Sequence, residues 1–216
     1  NPHMHLLEAA IAWLRVDSDR QSRLQWIALA QEVLELALTQ LIDPESGFLG
    51  ECFDKNWKPL RQEEGFVFEP GHQYEWAWLI SQYDEILPMR PEVKFMAYQL
   101  FQNGENFGVN FKTHFVVDEV WSSKQVKKAS SRFWPQCERI KAAVTLGKKE
   151  MTTRQATYAM AADEAMQALL RFLESPGKGL WEDTLLENGQ FKPQSPKASS
   201  LYHIIGALSE FASKRP

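Results

Sequence analysis

The chain has 216 residues, 44% of them hydrophobic and 24% charged, with a formal net charge of −4, the balance of a water-soluble globular protein. That charge lacks the basic footprint a nucleic-acid surface needs, and no apolar run approaches the ~18 residues of a membrane span. Two cysteines, Cys52 and Cys137, are too few for a disulfide framework, so a reducing, cytoplasmic setting is expected.

The chain opens Asn1-Pro2-His3 without an initiator Met, which reads as a processed protein or a piece of a longer one; no secretory leader is recognised. A first helix is predicted over 3–16, where Leu6, Leu7, Ala10, Ile11 and Leu14 recur at helical spacing and Pro2 suits the first turn. A second helix, 22–41, is followed by the breaker cluster Asp43-Pro44-Glu45-Ser46-Gly47 and a strand-or-loop excursion over 48–65. Helices three and four are predicted at 71–86 and 91–102, separated by Pro88 and Pro91. Residues 107–121 alternate β-branched and aromatic side chains (Val109, Phe111, Phe115, Val117), which predicts a hairpin. Helices five and six follow at 135–146 and 152–173, the latter with Thr152 and Thr153 as candidate caps and Pro176 as its stop. A short excursion over 179–192 turns at Asn188-Gly189, and helix seven spans about 199–212 behind Ser199 and Ser200.

These elements form a repeat. A glycine precedes a long excursion, which delivers a chemically capable residue where a helix begins: Gly47 leads to His72, Gly108 to Arg132 and Gly179 to His203. Helices 3–16, 71–86, 135–146 and 199–212 read as an inner set, and the more charged 22–41, 91–102 and 152–173 as outer partners. The expected fold is therefore all-α, a single domain over 1–216 with short hairpins on the rim. The N-terminal ends of the inner helices would present free N–H groups and positive dipole ends to one space. Three and a half helix pairs do not close a ring; further sequence or a second copy, as a homodimer, would have to cover the open edge.

Candidate chemistry sits at those helix starts. His72 and Glu75 share a helix face, as do His5 and Glu8 three residues apart; Arg132, Trp134 and Glu138 form the middle group, and His203 the last. Arg132 suits oxyanions and Trp134 a sugar face. His3 is read as exposed and His114 as structural. Metal-binding, P-loop and dinucleotide motifs are absent, so neither metal nor cofactor is expected.

The strings Asn1-Pro2-His3-Met4-His5-Leu6-Leu7-Glu8-Ala9, Pro70-Gly71-His72-x-x-Glu75-Trp76, Arg132-x-Trp134-Pro135-x-x-Glu138 and Ser199-Ser200-Leu201-Tyr202-His203-Ile204 resemble the N-acylglucosamine 2-epimerase superfamily, in its C-terminal part. The resemblance implies an (α/α)6 barrel, His72 and His203 as an acid/base pair, and a monosaccharide pocket lined by His5, Glu75 and Glu138. The Glu75-Trp76 pair is similar to the mannose isomerase branch. The implied reaction is proton abstraction beside a carbonyl through an enediolate, giving a ketose or the 2-epimer, and imidazoles with an ordinary pKa of about 6.5 suit it. Alternatives are a two-carboxylate glycosidase using Glu75, Glu138, Glu182 or Asp183, or a non-catalytic sugar-binding or interaction module.

Overall fold

The computed structural model describes residues 1–150, 154–174 and 177–213. Seven α-helices carry the architecture among these residues: α1 Pro2–Val16, α2 Arg20–Leu36, α3 Pro70–Ile86, α4 Pro91–Gly108, α5 Phe133–Lys149, α6 Arg154–Leu173 and α7 Leu201–Ala212. Proline occupies the first turn of α1, α3 and α4, where its missing N–H costs nothing. Asp19 caps α2 by accepting from the backbone N–H groups of Gln21 (3.0 Å) and Ser22 (2.9 Å). Ser200 stands at the N-cap of α7 behind a 3₁₀ turn, Ala198–Ser200, but its hydroxyl makes no capping bond, contrary to the expectation for this serine pair. The candidate caps Thr152 and Thr153 and the stop at Pro176 lie outside the described residues.

Helices α1, α3, α5 and α7 pack side by side as one row, and α2, α4 and α6 cover its outer side. α3 and α5, central in the row, are buried almost all round, and their buried residues include His72, Gln73, Glu75, Gln136, Glu138, Arg139 and Lys141. Polar side chains at that depth must be partnered or functional. Leu201, Tyr202, Ile205 and Leu208 on α7 remain exposed at the flank of the row.

Among the described residues the rim carries five short strands: β1 Val67–Phe68, β2 Glu119–Trp121, β3 Val126–Lys128, β4 Ser131–Arg132 and β5 Thr184–Leu185. They form a three-stranded antiparallel sheet, β1-β2-β3, and a two-stranded one, β4-β5. The pairs Val67↔Trp121 and Arg132↔Thr184 tie each excursion to the next and fix where α3 and α5 begin. The turn at Asn188-Gly189 is as expected, with Gly189 in the left-handed region at φ 81°.

The excursions repeat in atomic detail, in a register that departs from the expected one. Gly47 (φ 68°) closes a turn in which its N–H donates to Asp43 O at 2.8 Å, beside the bridge Ile42↔Leu49. In the second excursion His114 (φ 60°) does the same to Asn110 O at 2.7 Å, beside Val109↔Val116. Gly108 is therefore no turn glycine. It ends α4, which runs six residues beyond the expected Gln102, and a Cβ there would lie 2.3 Å from Pro70 Cβ. Two buried glutamines lock the repeat: Gln73 exchanges bonds with Leu49 N (3.1 Å) and O (2.9 Å), and Gln136 does so with Val116 N (3.0 Å) and O (3.2 Å). On that register His72 corresponds to Pro135, Glu75 to Glu138, and Arg132 to Glu69 rather than to His72.

Candidate active site

The inner-helix starts surround a cleft of about 250 Å³ lined by Asn1, His5, Glu69, His72, Glu75, Arg132, Trp134, Asp183, Lys197, Ser200 and His203. A roomier groove of about 500 Å³ between α2 and the α3–α4 turn, lined among others by Ile27, Leu34, Tyr83 and Val93, has no histidine in its lining, so the smaller cleft is the candidate site.

His72, buried at the start of α3, places Nδ1 2.8 Å from Glu51 Oε2. A carboxylate only accepts, so Nδ1 carries the proton and the Nε2 lone pair lies on the opposite edge of the ring, where the Asn1 amide stands at 3.4 Å. Glu51 also accepts from the N–H of Glu69 (3.0 Å), so one side chain sets both the entry of α3 and the imidazole. Sequence reasoning missed Glu51. It belongs to a loop 21 residues upstream, and only the excursion's fold brings it to His72.

His203 on α7 repeats the arrangement with a different carboxylate, Glu138 Oε1 at 2.7 Å from Nδ1. Between the imidazoles stands Trp134, its ring 5.0 Å from that of His72 and 5.6 Å from that of His203. Its indole also explains Gly71, where a Cβ would lie 2.5 Å from Trp134 Cη2. Both histidines and Trp134 thus meet as expected.

Glu138 is fully buried and pairs with Lys141, whose Nζ is 2.8 Å from Oε2. Burial alone would raise the Glu138 pKa, but the Lys141 charge and the bond from His203 outweigh it and hold the carboxyl below its ordinary range. Glu75 moves the opposite way. Burial, then the Glu138 charge, push its pKa well above the usual value, with Lys141 opposing and Glu8 reinforcing. Its Oε1 has no hydrogen-bond partner among the described residues. The two neighbouring carboxyls are thus pushed in opposite directions by their surroundings.

Arg132 lines the cleft, but its charge is committed. Nη2 donates to Glu69 at 2.6 Å and Nε to Asp118 at 2.8 Å, and the guanidinium lies 5.1 Å from the Trp134 ring centre. His5 Nδ1 lies 3.3 Å from Glu8 on the half-exposed face of α1. Among the described residues, three sets hold ligand-capable atoms within 4.8 Å of one another: His5/Glu8/Glu75, Glu51/Glu69/His72 and Glu75/Glu138/His203. They have metal-like spacing, and in each the histidine Nδ1 already lies beside a carboxylate of the same set. Outside the cleft, His3 is half-buried rather than exposed, edge-on to Trp57 at 5.7 Å. His114 pairs with Glu164 at 3.1 Å and serves its turn, as expected. No described helix is long and apolar enough to cross a membrane.

Helix pairs around a rim cleft, with two carboxylate-held imidazoles at the inner-helix starts, place the chain in the (α/α)6-toroid class, of which the described residues supply seven helices. The chain belongs to the N-acylglucosamine 2-epimerase (GlcNAc 2-epimerase) family, whose model matches residues 1–207. A curated relative, mannose-6-phosphate isomerase of Rhizobium meliloti (strain 1021), is 38% identical over 210 residues, 97% of this chain and 54% of that protein. Among solved structures, D-mannose isomerase superposes with TM-score 0.80 at 22% identity, over 98% of this chain and 55% of that one. Cellobiose 2-epimerase from Bacillus thermoamylovorans B4167 does so with TM-score 0.78 at 20% identity, over 98% and 52%. The chain thus spans about half the length of the proteins it matches.

Proposed function

We propose that this cleft interconverts a free aldose and its ketose, of the mannose and fructose type, by proton transfer through an enediolate. The observation that carries the reading is the pair of imidazoles lining one cleft, each with Nδ1 held by a carboxylate, so that Nε2 is the nitrogen a substrate would meet, in His72 by displacing the Asn1 amide. One Nε2 takes the C2 proton of the open-chain sugar and the π pair of C1=O moves onto O1. Protonation at C1 then gives the ketose, and protonation at C2 from the opposite face gives the epimer. Trp134 supplies an apolar face for the sugar, and His5, Glu8, Glu75, Arg132 and Glu138 bind its hydroxyls or brace those that do. The relative's name, mannose-6-phosphate isomerase, and the D-mannose isomerase likeness support a mannose-type substrate; the family name keeps 2-epimerisation as the second outcome. A monosaccharide partner and a cytoplasmic setting fit the acidic, cysteine-poor composition.

A two-carboxylate glycosidase is disfavoured because Glu138 is wholly buried and already engaged by Lys141 and His203. The test is solvent deuterium incorporation into mannose or fructose. Exchange at C1 or C2 is expected, reduced by at least about a hundredfold in His72→Ala and in His203→Ala. Full exchange in both variants would sink the assignment.

A further inference from the structure

We propose that Glu75 rests as an uncharged carboxylic acid and acts as a catalytic residue, giving its proton to O1 of the sugar as the enediolate forms. The inference rests on the isomerase reading above and adds the group that moves the hydroxyl protons.

The geometry sets up the problem. Glu75 lies one turn beyond His72 on α3, is 1% exposed, lines the cleft, and leaves Oε1 without a hydrogen-bond partner. His5 and Glu8 face it from α1, Glu138 and Lys141 from α5, and His203 and Tyr202 from α7. Of the cations facing it, Lys141 lies 2.8 Å from Glu138 Oε2, and the Asn1 amino group acts on Glu75 less strongly than Lys141 does; His203 bonds Glu138 Oε1. A third bare carboxylate beside Glu8 and Glu138 would leave buried carboxylates outnumbering these cations, and a bound proton removes that cost. The upward displacement of the Glu75 pKa agrees.

The reaction needs such a group. When the C2–H bond breaks, its proton goes to an imidazole Nε2, and O1 accumulates negative charge. Arg132 is poorly placed to neutralise it, because Glu69 and Asp118 hold that guanidinium. The neutral Glu75 O–H donates to O1 and transfers its proton, giving the enediol and a carboxylate. As the ketose forms, C1 takes a proton from imidazolium, the C2=O bond forms, and the O2 proton returns to Glu75. Atoms and charges balance with no further reactant. A neutral acid buried among apolar and anionic neighbours is an effective hydrogen-bond donor to a developing enolate-type oxyanion.

The resting proton can be read directly. Difference infrared spectra of the full chain at neutral pH should show a protonated-carboxyl C=O stretch above the amide I band, lost in Glu75→Gln. The Gln variant, a neutral isostere of the resting acid, should bind mannose within about threefold of wild type but form ketose about a hundredfold more slowly, since an amide donates a bond but cannot shuttle a proton. Its thermal midpoint should match wild type below the ordinary carboxylate range and exceed it increasingly at neutral and alkaline pH, because wild type must then take up a proton to fold. A folded-state pKa above the unfolded one gives stability that is present at low pH and lost as pH rises through the folded value. A spectrum without the carboxyl band, or a Gln variant destabilised at neutral pH, overturns the proposal even if deuterium exchange is normal. A band present without any exchange sinks the isomerase reading and leaves the resting proton established.

Discussion

At the scale of the residue, the site is a set of pairings that fix protonation states. In the proposed reaction His72 can serve as a base because Glu51 accepts from its Nδ1, and His203 because Glu138 does. Glu51 acts through His72 and is a positioning residue. Glu51→Gln keeps a hydrogen-bond acceptor but removes the anion beside the imidazole. We expect kcat to fall about tenfold to a hundredfold with KM little changed. A raised KM with kcat unchanged would reduce Glu51 to a structural prop. Local sequence announced His72, His203 and Trp134 through their places at helix starts, whereas Glu51 has no local signature at all. Arg132 was expected to meet an oxyanion. Its partners Glu69 and Asp118 lie 63 and 14 residues away in the chain, so only the folded rim reveals that its charge is spent.

At the scale of the element, the helices were legible because an amphipathic helix repeats its apolar positions every three to four residues, and that pattern depends on near neighbours. The rim was not. Its strands are two or three residues long, too short to carry a periodic signal, and they exist through pairings such as Val67↔Trp121 that bridge distant excursions. The helix α4 extension to Gly108 has the same kind of cause: Gly104 and Gly108 look like breakers, but they lie against Tyr74 and Pro70, where a Cβ would come within 2.5 and 2.3 Å. Gln73 and Gln136 are the joints between helix and excursion. Gln73→Ala strands the buried N–H of Leu49 and its carbonyl, so a loss of about 2–4 kcal/mol is expected in urea unfolding. A loss under about 0.5 kcal/mol would mean the clamp is replaceable by water.

At the scale of the molecule, the row of inner helices and its outer layer are tied through Arg139. This side chain, 1% exposed on α5, donates to Glu105 of α4 at 2.7 and 2.8 Å and to Glu164 of α6 at 3.0 Å. Tyr74 of α3 donates to the same Glu105 at 2.8 Å. Removing one member of such a buried network leaves charges without partners. Arg139→Ala should therefore lower stability by about 3–5 kcal/mol, with the midpoint of denaturant unfolding as the measure. Midpoints that match wild type would show that the four helices are held by apolar packing alone.

The sequence by itself determined the helical class, the pairing of inner and outer helices and the places of His72 and His203 at helix starts, because each rests on periodicity or on a short motif at a helix start. The tertiary structure decided which charges are free. It gave His72 its carboxylate, spent Arg132 on Glu69 and Asp118, locked the charge of Glu138 with Lys141, and left Glu75 buried with an unpartnered oxygen. Charge balance in a low-dielectric cleft depends on distances of a few ångströms between residues far apart in the chain, and no local pattern encodes those distances.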